Sequence, residues 1–215
     1  MTRVFVGSFL EGEEREILAR FLAEENKKLK PDQASVIRSV KPEKLHITWQ
    51  FLGELDENEL PKLKETLLDL TGPLFQAANF PFSITYDYAE AWPSTQARVI
   101  VARPRVESKT LTTVARLLRE ALAPHSRADA AVERNIVFKP HVTLYRLRQA
   151  RDEAVADIIS DFQPFEQTVS AIHLVESHLR SEQEGNYAST YRSLLQLSPA
   201  NGETVSKAPY QDLLN

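Results

Sequence analysis

The chain has 215 residues, of which 42% are hydrophobic and 26% are charged, and its formal net charge is −4. This composition is typical of a soluble globular protein, and the acidic balance argues against a broad basic surface for long nucleic-acid duplexes. There is no cysteine, which excludes disulfides, thiolate catalysis and cysteine-ligated metal sites and fits a reducing compartment.

The first half of the chain alternates between strand and helix patterns. Its opening segment, MTRVFVGSFLEGEERE, predicts a strand that runs into an acidic helix start, and it lacks the basic and cleavage regions of a signal peptide. No apolar run reaches the roughly 18 residues that a membrane span requires, so we expect a cytoplasmic protein without membrane contact. The predicted elements are a strand at 3–10, a helix at 12–29, strands at 35–40 and 45–52, a helix at 57–70 that ends at Thr71-Gly72-Pro73, and one strand at 80–92.

The second half repeats this mixture and ends in a segment of a different kind. Residues 198–215 carry small polar side chains with weak periodicity, which predicts a flexible tail, so residues 1–197 are expected to form one domain. The predicted elements before the tail are a strand at 97–103, a helix at 107–122, a long loop at 124–139, a strand at 140–147, a helix at 151–160, and strands at 166–177 and 188–197.

The order of these elements predicts the fold class. Strands and helices follow one another irregularly with short connections, which favours an α+β fold with antiparallel sheets and helices on the outside. Each half also contains one strand with the same short motif. We therefore expect two lobes related by a pseudo-twofold axis, with their sheets lining a central cleft.

The shared motif is His-x-Thr within an apolar run. It occurs as KLHITWQFLG at 44–53 and as KPHVTLYRLR at 139–148. Successive side chains of a strand point to opposite faces, so His46 and Thr48 share one face, and His141 and Thr143 share one face of the second strand. The residues between them are apolar and are expected to face the core, which leaves both His/Thr pairs facing the cleft.

Two imidazoles that face one cleft suit general acid–base chemistry near neutral pH. One neutral ring can take a proton from water while a protonated ring gives one to a leaving oxygen, and each role contributes roughly 10²–10⁴ in rate. The hydroxyls of Thr48 and Thr143 can donate hydrogen bonds to phosphate oxygens. Arg146 lies five residues after His141, so strict alternation places it on the opposite face, and it requires a bulge or its long side chain to reach a phosphate.

Other chemistries find less support in the sequence. There is no H-E-x-x-H or H-x-H, and no carboxylate stands at ligand spacing beside either motif, so we predict neither a metal nor a cofactor. A G-x-S-x-G nucleophile elbow is absent, and the six glycines are scattered singly, which argues against a phosphate-binding glycine loop.

On these residues the chain resembles the two-histidine (2H) phosphoesterase superfamily and, within it, the RNA 2′,3′-cyclic phosphodiesterase family, also called LigT-like or ThpR. The likeness extends over residues 2–197 and includes FKPHVTLYR at 138–146 and a closing block that begins IHLVESHLR at 172. It implies metal-independent hydrolysis of an RNA-terminal 2′,3′-cyclic phosphate to a 2′-phosphomonoester. It assigns His46 as the proton donor, His141 as the base, Thr48 and Thr143 as phosphate ligands, and Arg146 as an additional ligand.

The resemblance also implies partners and leaves alternatives open. The expected partners are single-stranded RNA ends or small cyclic-phosphate nucleotides, bound by a monomer, and some members of the family also join RNA ends through a 2′–5′ bond. Alternative substrates are small cyclic nucleotides, ADP-ribose cyclic phosphate or 2′–5′ oligonucleotides, and a further alternative is a non-catalytic RNA- or nucleotide-binding protein. Candidate base-stacking residues are Tyr86, Tyr88, Trp92 and Tyr145.

Overall fold

The computed structural model describes residues 1–127, 138–148, 152–182 and 186–199. Its ten described strands are β1 Thr2–Phe9, β2 Ile37–Ser39, β3 His46–Leu55, β4 Phe82–Tyr86, β5 Tyr88–Trp92, β6 Val99–Arg103, β7 Val142–Leu147, β8 Phe165–Val169, β9 Ile172–Glu182 and β10 Asn186–Leu197. Its five described helices are α1 Gly12–Lys28, α2 Pro31–Ala34, α3 Leu60–Ala78, α4 Lys109–Leu122 and α5 Asp152–Ser160. Within these ranges no helix combines the length and the apolar character needed to cross a membrane.

Antiparallel strands form the centre of the fold, as the element order predicts. The large sheet has the order β10-β9-β1-β3-β7-β6-β5, with β2 also paired to β7, and β4 and β8 form a separate two-stranded sheet. All described strand pairs are antiparallel. The predicted α+β class is therefore confirmed.

The large sheet consists of two groups of four strands that meet at one point. One group is β10-β9-β1-β3 and the other comprises β7 with β2, β6 and β5. Among the described residues, the strands of the two groups are joined by the single antiparallel pair Ile47–Val142, whereas β1 and β3 pair along their whole length. Each of these two residues is the central residue of a His-x-Thr motif, so the junction between the two groups brings the two motifs together.

Helices cover the face of the sheet that lies opposite the motif side chains. Leu111, Val114 and Leu118 of α4 are buried, and α4 packs against both α3 and β3. On the other strand group, the hydroxyl of the buried Tyr145 in β7 donates to the carbonyl oxygen of Leu22 in α1 at 3.4 Å. Each motif strand is thus supported from behind by a helix, which leaves the opposite face of both strands open.

Helix α3 continues beyond the end that its sequence predicts. The Thr71-Gly72-Pro73 segment was expected to end it near residue 70, but the helix includes Pro73 and ends at Ala78, before Asn79 in the left-handed conformation. Leu74 and Ala78 are both buried and extend the stripe that begins with Leu63 and Leu67. Burial of this continued stripe stabilises the helix enough to offset the backbone hydrogen bond that proline cannot donate.

Two long predicted strands are each divided into two strands that belong to different sheets. The segment 80–92 turns at Asp87, so that β4 pairs with β8 while β5 pairs with β6. The backbone N–H of Asp87 donates to the carbonyl of Arg103, and its carboxylate accepts from the N–H of Arg105. The segment 166–177 is divided in the same way into β8 and β9. Most of the predicted loop at 124–139 and residues 200–215 of the predicted tail lie outside the described residues.

Candidate active site

The junction between β3 and β7 places the four motif side chains on one face. Ile47 and Val142 face each other and are fully buried. Because side chains alternate along a strand, the residues that flank this pair project from the opposite face. These flanking residues are His46, Thr48, His141 and Thr143, and all four are half-buried. The predicted orientation of both His-x-Thr motifs is therefore confirmed.

The two imidazoles are oriented by equivalent hydrogen bonds. Nδ1 of His46 lies 2.7 Å from the carbonyl oxygen of Lys44, and Nδ1 of His141 lies 2.8 Å from that of Lys139. A carbonyl oxygen only accepts hydrogen bonds, so Nδ1 carries the proton in both rings. Nε2 is then an acceptor when the ring is neutral and a donor when the ring is protonated. Both histidines therefore have one nitrogen available for proton transfer.

Burial keeps both rings in the neutral form when the groove is empty. The pKa of His46 is lowered to about 4, mainly because the ring is removed from water. The charge of Arg146 and that of a protonated His141 act in the same direction, whereas the bond to Lys44 opposes the shift. Burial also lowers the pKa of His141, and the nearby charge of Arg103 acts in the same direction. The Ile47–Val142 pair places the two motifs on adjacent strands and brings both rings onto one face of the sheet.

Equivalent β-bulges follow the two motifs. Opposite β1, Gln50 pairs with Val6 and Thr48 with Gly7, which leaves Trp49 as an extra residue of β3. Opposite β6, Tyr145 pairs with Ile100 and Thr143 with Val101, which leaves Leu144 as an extra residue of β7. Both extra residues are buried in the core.

The bulges determine which side chains join the motif residues. One extra residue shifts the alternation, so that the position five residues after each histidine faces the groove instead of the core. That position is Arg146 in β7 and Phe51 in β3, and both are exposed side chains that line the groove. The bulge at Leu144 thus provides the geometry that Arg146 requires to lie on the same face as Thr143.

A groove of about 200 Å³ runs along this face. It is lined by three of the motif residues, His46, Thr48 and Thr143, and by three cations, Arg3, Lys44 and Arg146. Gly7 pairs with Thr48 next to it, and a Cβ at Gly7 would lie 2.7 Å from the carbonyl oxygen of Ile47. Only glycine therefore allows β1 and β3 to approach so closely beside Thr48.

The two histidines have different surroundings. His46 stacks on Phe5 with 4.9 Å between ring centroids, and the edge of Tyr191 lies 5.4 Å away. His141 instead contacts the tilted ring of Trp92 at 4.7 Å, beside the cations Arg103 and Lys139. The symmetry of the two motifs is therefore limited to the histidines, the threonines and the bulges, and the residues around them are not equivalent.

A family model described as the 2′-5′ RNA ligase superfamily matches residues 21–180, which is most of the chain. The chain belongs to this superfamily. The resemblance that the paired His-x-Thr motifs carry is thereby confirmed, and both motifs lie within the matched residues.

Relatives and solved structures agree with this membership. An RNA 2′,3′-cyclic phosphodiesterase of Archaeoglobus fulgidus is 33% identical over 128 residues, which are 60% of this chain and 65%, slightly under two thirds, of the relative. A protein of the same name from Aquifex aeolicus is 24% identical over 84% of this chain and 91% of its own length. The protein TT0787 of Thermus thermophilus superposes with a TM-score of 0.65 at 27% identity, covering 91% of this chain and 97% of its own. Escherichia coli LigT in complex with 3′-AMP shares the fold, with a TM-score of 0.63 at 23% identity over 92% and 97% of the chains.

Some residues of this superfamily member occupy positions that the sequence does not predict. Tyr86 and Tyr145 are fully buried, so the interpretation of these two as base-stacking residues is wrong, whereas Tyr88 and Trp92 are half-buried. Arg3 lines the groove, although only its alternation with Phe5 and Gly7 in the first strand could have indicated this.

Of the five histidines only His46 is among the residues that line the groove, while His141 lies on the same face next to it. The other three lie elsewhere. His125 contacts Thr66 of α3, His173 is buried against Phe9, and His178 pairs with Glu176. Within the described part of the chain, no three histidine, aspartate or glutamate side chains form a group that could hold a metal ion.

Proposed function

We propose that the protein hydrolyses RNA-terminal 2′,3′-cyclic phosphates to 2′-phosphomonoesters without a metal ion, with residues 1–197 acting as one catalytic domain. The observation that carries this proposal is the pair of imidazoles on one face, each oriented through Nδ1 and each with Nε2 available. The two relatives named RNA 2′,3′-cyclic phosphodiesterase support the choice of substrate.

The proposed reaction moves two protons and exchanges one bond at phosphorus. His141 takes a proton from water, whose oxygen forms a new bond to phosphorus, while the bond from phosphorus to the 3′ oxygen breaks. His46 gives its proton to that departing oxygen, and the phosphate remains on the 2′ oxygen. Thr48 and Thr143 donate hydrogen bonds to the non-bridging oxygens, and Arg146 balances the charge that grows on them.

The bound substrate can raise the lowered pKa of the histidine that acts as the acid. Both histidines are neutral in the empty groove because their pKa values are lowered. A phosphate anion that binds against them is an opposite charge at short distance, and it raises the pKa of the ring it contacts. Substrate binding therefore favours protonation of one imidazole, so the general acid is present in the complex although it is largely absent from the free protein.

Product analysis tests this function directly. An oligonucleotide with a 2′,3′-cyclic end is incubated with the protein in EDTA, and the position of the phosphate in the product is determined. We expect a 2′-phosphate with no loss of rate in EDTA. A 3′-phosphate, or a requirement for added zinc or magnesium, would contradict the proposal.

The superfamily description favours 2′–5′ ligation as a second activity of the same groove. A 5′-hydroxyl can replace water as the attacking group, with the same proton transfers at His141 and His46. Addition of RNA with a free 5′-hydroxyl to the incubation tests this activity, since ligation gives a longer product with a 2′–5′ linkage.

The lowered histidine pKa values predict different pH profiles for kcat/KM and kcat. The kcat/KM profile reports the free protein, in which both pKa values lie below the ordinary 6.5, so its alkaline limb is expected below pH 6.5. The kcat profile reports the complex, in which the bound phosphate raises the pKa of the acid, so its alkaline limb is expected at higher pH. Steady-state kinetics between pH 4 and 9 would measure both limbs, and coincident limbs would contradict the role given to the phosphate.

A further inference from the structure

The groove carries more positive charge than one terminal phosphate requires. Arg3, Lys44 and Arg146 line it, and among the described residues no aspartate or glutamate does. A 2′,3′-cyclic phosphate bears a single negative charge, which Arg146 and the two motifs are placed to meet. The charge of the groove therefore suits an RNA end in which further phosphates follow the terminal nucleotide.

Arg3 is held in position without a carboxylate. Its guanidinium lies 4.8 Å above the centre of the Phe51 ring, and no ion pair to it occurs among the described residues. A guanidinium has five N–H donors in a fixed plane, and stacking on a ring leaves those donors directed outward. An exposed arginine in this state is suited to binding a phosphate.

The position of Arg3 separates it from the reacting phosphate. Thr48 pairs with Gly7 on β1, and the backbone of Arg3 lies four residues farther along that strand, about 13 Å away. The guanidinium itself lies over Phe51, which pairs with Phe5, two residues or about 7 Å from Gly7. Phe51, which supports the guanidinium, lies three residues beyond Thr48 on β3. Arg3 therefore faces a part of the groove beyond the phosphate that Thr48 would contact.

The position five residues after the histidine holds different residues in the two motifs, so an arginine stacked on a phenylalanine occurs beside the first motif and, among the described residues, has no equivalent beside the second. Five residues after His141 the groove position holds Arg146, but five residues after His46 it holds Phe51. The cation beside Phe51 is thus supplied by the neighbouring strand β1. A phosphate on this side would be bound at a greater distance from the reaction than one on the side of Arg146.

We propose that Arg3, supported by Phe51, binds the phosphodiester that precedes the terminal nucleotide, and thereby makes the protein prefer oligonucleotide ends over mononucleotides. This inference rests on the proposed function. Arg3 acts on binding and not on proton transfer, so its contribution falls on KM and increases at low ionic strength.

Three substrates test the subsite. They are a mononucleotide 2′,3′-cyclic phosphate, a dinucleotide with the same cyclic end, and that dinucleotide with an uncharged methylphosphonate linkage. The wild type is expected to prefer the charged dinucleotide over both others by about 10- to 100-fold in kcat/KM, the range of a charge-assisted hydrogen bond. Arg3→Ala is expected to lose this preference through KM, Arg3→Lys to keep part of it, and Phe51→Leu to weaken it.

The matched control is Arg116→Ala, which removes an exposed arginine on α4 that pairs with Glu120. It is expected to keep the wild-type preference among the three substrates. If Arg3→Ala lowers kcat/KM by the same factor on all three, or if the wild type shows no preference, the subsite is refuted while the proposed function stands. If the wild type turns over none of them, the proposed function fails, and the subsite fails with it.

Discussion

Replacement of either motif histidine by alanine is expected to lower kcat on a 2′,3′-cyclic-ended RNA by roughly 10²–10⁴-fold. His46 and His141 are the two motif side chains with a free nitrogen for proton transfer, and each is fixed by its bond to a backbone carbonyl. Alanine leaves no group at either position that can take up or give a proton. Single-turnover kinetics of the two variants would measure the loss.

Controls separate this loss from misfolding and from general effects of removing an imidazole. The variants should keep the thermal unfolding midpoint of the wild type within a few degrees, since both rings lie on the groove face and outside the core. His125→Ala removes a histidine that contacts Thr66 away from the groove, and it is expected to retain full activity. Activity of His46→Ala or His141→Ala within a few-fold of the wild type would refute acid–base catalysis by this pair.

The double variant gives a stronger form of the same test. Groups that act together in one proton-transfer sequence have strongly non-additive effects on rate. His46→Ala with His141→Ala is therefore expected to be about as slow as the slower single variant. A loss equal to the product of the two single effects would show that the histidines act independently.

A substrate with sulfur in place of the 3′ bridging oxygen is expected to restore the activity of His46→Ala but not of His141→Ala. A thiol has a pKa of about 8.5, so a thiolate departs without protonation, and the acid is no longer required. The base is still needed to activate water. If the acid accounts for roughly 10²–10⁴ of the rate, the sulfur substrate should recover most of that factor in the acid variant alone.

The sulfur-substituted substrate also tests whether His46 is the acid, because its lowered pKa opposes the role that the resemblance assigns to it. The resemblance assigns the acid to His46, but in the empty groove His46 has its pKa lowered to about 4, which favours the neutral form. The assignment is consistent only if the bound phosphate raises that pKa strongly. Recovery of His141→Ala by the sulfur substrate would reverse the two roles and leave the rest of the mechanism unchanged.

The sequence by itself determined the orientation of the catalytic motifs. Alternation along a strand is a local property of the backbone, so His46 and Thr48 had to share one face once the apolar residue between them was assigned to the core. The same reasoning applies to His141 and Thr143. The α+β class followed equally well, because it depends on the order of short apolar and amphipathic segments and not on their contacts.

Only the tertiary structure decided the features that depend on a neighbouring element. Helix α3 passes Pro73 because Leu74 and Ala78 are buried against distant parts of the chain, and that burial is not visible in a local pattern. Arg146 reaches the groove because β6 pairs with β7 so as to leave Leu144 as an extra residue. Arg3 lies above Phe51 only through the register of β1 and β3. Periodicity describes one strand at a time, whereas bulges and cross-strand contacts arise from the pairing of two.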